Sequence, residues 1–72
     1  MDVNQIVGAL KYLEGKHGTS PSTKEIAEYL ECSEATAIKY LQRAVGEKMI
    51  AQRKGGKYMT LAVAKAFDAQ KQ

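Results

Sequence analysis

Six of the chain's cations, Lys39, Arg43, Lys48, Arg53, Lys54 and Lys57, fall within one stretch that contains a single acid, Glu47. Ammonium and guanidinium groups gathered this way make and break no bonds by themselves. Their chemistry is to neutralise a polyanion such as a phosphate backbone and to release its counterions. Residues 1–38 net −3, residues 39–57 net +5 and residues 58–72 net +1, so an overall charge of +3 and a pI near 9.1 conceal a segregation along the chain. The plainer alternative is a solvated basic face that touches nothing. Other chemistries have little to build on. The single histidine, His17, lies in a glycine-flanked connector with no evident base or metal partner, which argues against an enzyme. Cys32 is the only cysteine, so no internal disulfide and no zinc site built from cysteine pairs can form. At a turn between two apolar segments it reads as a small buried hydrophobe and not as a nucleophile. No metal, cofactor or small-molecule ligand is expected.

The elements that would carry these cations follow from periodicity. Val3, Ile6, Val7, Leu10 and Leu13 recur every three or four residues, which predicts a helix from an Asp2 cap to about Glu14, with Gly15 ending it. Gly15 to Ser22 clusters glycine, proline and hydroxyl residues without an apolar period and reads as a connector, in which Thr19 and Ser20 could form a very short strand. Ser22 followed by Glu25 has capping-box spacing and opens a second helix, about Thr23 to Leu30, whose inward residues would be Ile26, Ala27 and Leu30. After the break at Glu31-Cys32, Ser33 can cap a third helix from Glu34 to about Glu47, with Ala37, Leu41, Ala44 and Val45 along one side. Met49 to Arg53 and Tyr58 to Leu61 flank Lys54-Gly55-Gly56-Lys57, the pattern of a tight hairpin whose glycines take positive φ angles. Ala62 to about Gln70 is alanine-rich and predicts a short fourth helix, with Val63 and Phe67 one turn apart.

The expected fold class is therefore mainly α with a small β-hairpin, and residues 1–72 read as one domain. A chain this short buries only about 60% of the surface exposed when unfolded, so its core must be well patterned. With 44% hydrophobic and 26% charged residues it belongs to the ordinary globular class. Its longest apolar run is far below the ~20 residues that span a bilayer, and Met1-Asp2-Val3-Asn4 lacks a positively charged leader, so a cytoplasmic protein without a membrane partner is expected.

Two short helices separated by three residues form a helix-turn-helix signal. In Ile26 to Leu41, Ala27 must be small because the third helix crosses close to it, while Ile26, Leu30, Cys32, Ala37 and Leu41 supply an apolar lock. With the first helix before it and the basic hairpin after it, the arrangement resembles the winged helix-turn-helix superfamily: a three-helix core, a wing and a short C-terminal helix. The run from Leu10 to Leu61, including Gly18-Thr19-Ser20-Pro21-Ser22-Thr23-Lys24-Glu25-Ile26-Ala27, Tyr40-Leu41-Gln42-Arg43-Ala44-Val45 and Met49-Ile50, is similar to the DNA-binding domain of LexA-type SOS repressors. The short length is similar to the PapI-type fimbrial regulators. The sequence departs from this pattern at the turn, where Glu31 replaces the usual glycine, and at Lys48, where a helix-ending glycine is common, with Gly46 two residues earlier. Nothing in the matched segment carries over a self-cleaving mechanism.

The resemblance implies a sequence-specific double-stranded DNA-binding protein, a transcriptional regulator or repressor in a prokaryotic, phage or plasmid setting. At 100° per residue the third helix turns Ala35, Thr36, Lys39, Gln42 and Arg43 away from the apolar side, while Lys48 falls with that side. The outward set would face the major groove: Ala35 and Thr36 are short enough to touch a thymine methyl, and Lys39, Gln42 or Arg43 can reach base edges or phosphates. Glu34 caps the helix or reads a cytosine amino group. In the wing, Arg53, Lys54 and Lys57 surround Gly55 and Gly56, where the backbone can approach a phosphate or enter a minor groove; a merely solvated turn is the alternative. Ser22, Thr23 and Lys24 could contact phosphate at a helix N-terminus or simply cap it. Tyr12, Tyr29 and Tyr40 read as core or rim residues and not as base-stacking platforms, and for Tyr58, which could lie beside the wing, both readings stay open.

Two other functions compete with transcriptional control. A winged domain can serve as a protein-interaction module, with Val63 and Phe67 as a partner-facing or dimerising ridge, so a homodimer is among the expected forms. A plasmid or phage replication or recombination accessory would use the same DNA-binding chemistry.

Overall fold

Asp2 opens the chain's first helix by accepting the Gln5 N–H at 2.9 Å, while its own N–H donates to Gln5 Oε1 at 2.9 Å. The computed structural model describes residues 1–53 and 56–70, the side chains of Phe67 and Gln70 excepted. Among the described residues the elements run α1 (Val3–His17), α2 (Thr23–Leu30), α3 (Glu34–Gly46), β1 (Ile50–Gln52), β2 (Tyr58–Thr60) and α4 (Leu61–Gln70). The architecture is mainly helical with a two-stranded antiparallel hairpin. No helix among the described residues is long and apolar enough to cross a membrane.

The expected end of α1 at Gly15 is corrected. The helix passes through Gly15 and stops at Gly18, which adopts φ 73° and donates its N–H to the Glu14 carbonyl at 2.8 Å. A glycine inside a helix costs only about 1 kcal/mol, whereas the left-handed cap needs a residue without Cβ, so Gly18 sets the boundary. His17 consequently belongs to α1 and not to the connector. Thr19 and Ser20 form no strand, and the sheet consists of β1 and β2 among the described residues.

The start of α2 follows the expected capping box, with Ser22 Oγ accepting the Glu25 N–H at 3.2 Å. Its end is unusual. Glu31 takes the left-handed conformation at φ 55°, and its N–H donates to the Ala27 and Glu28 carbonyls. The tight turn into α3 therefore keeps the geometry of a glycine position with a glutamate in it. Ser33 then caps α3 by accepting the Thr36 N–H at 3.1 Å. A second left-handed residue, Lys48 at φ 60°, turns the chain out of α3 toward β1. Because α3 stops at Gly46, the helical wheel does not extend to Lys48, and that side chain is exposed instead of facing the core.

Ile6, Leu10, Ile26 and Leu41 are fully buried at the centre of the three helices. Small residues lie beside them: Ala27, Ala37 and Ala44 are buried, while Leu30, Cys32 and Val45 pack half-buried around the cluster. Strand β1 pairs with β2 in the register Ile50↔Thr60, Ala51↔Met59 and Gln52↔Tyr58. Two strands of three residues have no independent stability in water. The hairpin is held because Ile50, Tyr58 and Met59 enter the core. Tyr58, the first residue of β2, belongs to the core: its 3% exposure leaves no ring to stack on a base.

One polar contact joins the hairpin to α1. Glu14, buried among apolar neighbours, accepts the Thr60 N–H on Oε2 at 2.8 Å and the Thr60 hydroxyl on Oε1 at 2.7 Å. Both carboxylate oxygens are used, which offsets the cost of taking a charge out of water.

Two stability changes follow. Glu14→Ala leaves the Thr60 donors without their acceptor and should lower unfolding free energy by about 1–3 kcal/mol in chemical denaturation; an unchanged midpoint would show that the clasp does not hold the hairpin. Glu31→Gly should act the other way. It relieves left-handed strain of about 1–2 kcal/mol against an added backbone-entropy cost of about 0.5–1 kcal/mol, so the melting temperature should rise by a few degrees.

Candidate nucleic-acid interface

Burial of one side of α3 exposes the other. With Ala37, Leu41 and Ala44 packed inward, Ala35, Lys39, Gln42 and Arg43 are exposed and Thr36 is half-buried. The five residues expected on the free side thus share one helical surface. They are not equally free. The Thr36 hydroxyl accepts from Ser33 Oγ at 2.8 Å, so this side chain is engaged in the cap. Arg43 lies over the Tyr40 ring, its guanidinium carbon 6.0 Å from the centroid, one helical turn along the same helix. Tyr40 is half-buried against the core, which gives that cation a fixed floor. Glu34 is exposed in the first turn, where a carboxylate complements the helix dipole.

The hairpin end is only partly described: Lys54 and Gly55 lie outside the described residues. Around them the Arg53 N–H donates to the Lys57 carbonyl at 2.9 Å, and the Gly56 N–H donates to the Arg53 carbonyl at 3.0 Å, which closes a tight turn. Gly56 adopts φ 83°, the positive angle expected of it, and Gly56 and Lys57 are exposed. Arg53 is placed differently from Lys57. Its Nη2 sits 2.7 Å from Asp68 Oδ1 on α4, so part of its charge is already met inside the chain. Sequence reasoning missed this pair, because the fourteen intervening residues give no pattern that places Asp68 beside the hairpin.

At the start of α2, Lys24 is exposed and Thr23 half-buried. The Ser22 hydroxyl and N–H both point to Glu25 Oε1, at 3.3 and 3.4 Å, and Glu25 Oε2 lies 3.7 Å from His17 Nε2. The Ser22 donors therefore already face a carboxylate, so capping accounts for Ser22, and Lys24 is an exposed cation available to an anion. His17 does have an acidic neighbour, contrary to expectation. Among the described residues no group of three or more His, Cys, Asp or Glu side chains could hold a metal ion.

Helix α3 packs against both α2 and β1, so the three sets of residues are tied to one rigid element although they come from separate parts of the chain. The surface they provide is chemically simple: amide, hydroxyl, ammonium and guanidinium donors without a buried acid or base among them. It can form hydrogen bonds and neutralise charge. Compared with known proteins, the chain matches no family model, no curated protein and no solved structure.

Proposed function

We propose that this chain is a sequence-specific double-stranded DNA-binding protein of winged helix-turn-helix type, acting as a transcriptional regulator. The observation that carries the reading is the division of α3. One side is locked into the core by Ala37, Leu41 and Ala44, and the opposite side offers Ala35, Lys39, Gln42 and Arg43 to solvent. A B-DNA major groove admits one α-helix, and amide and guanidinium side chains match the donor and acceptor pattern of base edges. The left-handed residue at Glu31 supports the same reading, since it sets the tight α2–α3 turn characteristic of the motif.

Charge supports it independently. The +5 stretch covers most of α3, strand β1 and the turn that leads into β2. In this proposal α3 enters the major groove, while Lys57, with Lys54, meets the backbone or the minor groove. Arg53 contributes less, because Asp68 partly neutralises it. Among the residues at the start of α2, Lys24 makes a phosphate contact.

Duplex binding should weaken steeply with salt, because each phosphate neutralised contributes about 0.9 to the slope of log affinity against log salt. Fluorescence anisotropy at several salt concentrations measures this, and affinity that does not change with salt would remove the basis of the proposal. Individual substitutions should then separate two kinds of contact. Lys57→Ala should weaken preferred and scrambled duplexes equally and flatten the slope by about one unit, with Arg53→Ala having a smaller effect. Among Lys39, Gln42 and Arg43, at least one alanine substitution should cost about 1–3 kcal/mol on the preferred duplex and relax preference at one base pair. If helix variants leave sequence preference intact while hairpin variants abolish it, the roles are reversed.

A further inference from the structure

On the outer side of α1 and α2, Tyr12 and Tyr29 stack on each other with ring centroids 5.2 Å apart and planes inclined by 27°. Both rings remain about half exposed, at 51% and 49%, and they are the two largest apolar side chains left on this surface. We propose that this face is where a second copy of the chain docks by a two-fold axis, tyrosine pair against tyrosine pair, with α1 of one copy lying on α2 of the other.

The charges around the pair are self-complementary. His17 lies beside Glu25 while Tyr12 lies beside Tyr29, so α1 and α2 run antiparallel along this face. The residue preceding each tyrosine is rotated by about 100° around its helix. That places Lys11 on the outer flank of α1 and Glu28 on the outer flank of α2, on opposite sides of the aromatic pair. Both are exposed, and among the described residues neither has an ion-pair partner. A two-fold axis running between the helices sets each Lys11 against Glu28 of the second copy, and the contact occurs twice, as an isologous interface requires.

The helix surface suits close approach. Gly8 and Gly15 precede and follow Tyr12 by four and three residues and share its outer ridge, and a Cβ built on either meets nothing within 4 Å. The single chain therefore does not need glycine at these positions, although each costs the helix about 1 kcal/mol relative to alanine. Opposite another helix, the missing Cβ atoms leave room for its backbone.

Net charge alone would also fit a head-to-tail arrangement, the acidic α1–α2 half of one copy on the cationic α3 and hairpin of the next. The aromatic pair decides against it. The free side of α3 carries Lys39, Gln42 and Arg43 beside the small Ala35, and its nearest ring, Tyr40, is half-buried with Arg43 over it, whereas a second copy brings a matching exposed pair, and stacked or edge-on aromatic contacts add attraction beyond the area buried. The docking face uses no residue of the 39–57 stretch, so it goes beyond the DNA-binding proposal and can fail or hold independently of it.

Sedimentation equilibrium of the full chain without DNA, over about 1 µM to 1 mM, tests this. A reversible monomer–dimer equilibrium is expected. Tyr12→Ser with Tyr29→Ser should weaken it at least tenfold. Lys11→Glu and Glu28→Lys should each weaken it, and both together in one chain should restore it, an outcome that a general loss of folding could not produce. Gly8→Ala with Gly15→Ala should weaken association while keeping or raising the melting temperature followed by circular dichroism. A chain that stays monomeric throughout would overturn the proposal, as would growth beyond a dimer, a dimer unaffected by the tyrosine changes, or charge swaps that do not compensate.

Discussion

The hairpin is oriented by α1, and the contact that does so is the Glu14 carboxylate clasping the N–H and hydroxyl of Thr60. Strands this short cannot persist on their own hydrogen bonds. Their apolar residues, Ile50, Tyr58 and Met59, are drawn into the helical core, yet burial is non-directional and does not by itself set the angle at which a ribbon leaves a bundle. A buried carboxylate with two donors at fixed distances does. It ties the last residue of β2 to the last turns of α1, and so determines where the cationic turn between the strands must lie.

From that tie the rest of the surface follows. Strand β1 enters directly from α3 through the left-handed Lys48, so the position of the hairpin and the orientation of α3 are coupled. On the other side, the left-handed Glu31 couples α3 to α2. Each of these two turns places a non-glycine residue where glycine would be less strained. The helical core, in which Ile26, Ala27, Ala37 and Leu41 are buried together, holds both turns in place. The outward side of α3 is thus rigidly defined, although no residue on it is itself buried.

Electrostatics along the chain is modified by local pairing. Arg53 belongs to the basic stretch in the sequence but meets Asp68 in space, and Glu25 gathers Ser22 and His17 around itself at the start of α2. Such pairs are partly exposed and contribute little to stability. Their effect is on which cations remain available: Lys39, Arg43 and Lys57 stay exposed, and Arg43 is steadied by the Tyr40 ring rather than neutralised by an acid.

Local rules sufficed for the helices. Capping boxes at Asp2 and Ser22, the Ser33 cap and the three-to-four-residue spacing of Ile6, Leu10 and Leu13 are short-range patterns, and they were legible because each acts within one or two turns of chain. The division of α3 was legible for the same reason, as was the hairpin turn around Gly56. The end of α1 was not, because two glycines competed and only the left-handed cap distinguishes Gly18 from Gly15. Glu14 left a faint signal, an acid one residue beyond Leu13 on the edge of the apolar stripe, but its partner Thr60 is 46 residues away. Tyr58, Asp68 and the stacking of Tyr12 on Tyr29 were decided only by tertiary structure. Contacts between residues distant in sequence depend on how helices and hairpin pack together, and no local spacing encodes that packing.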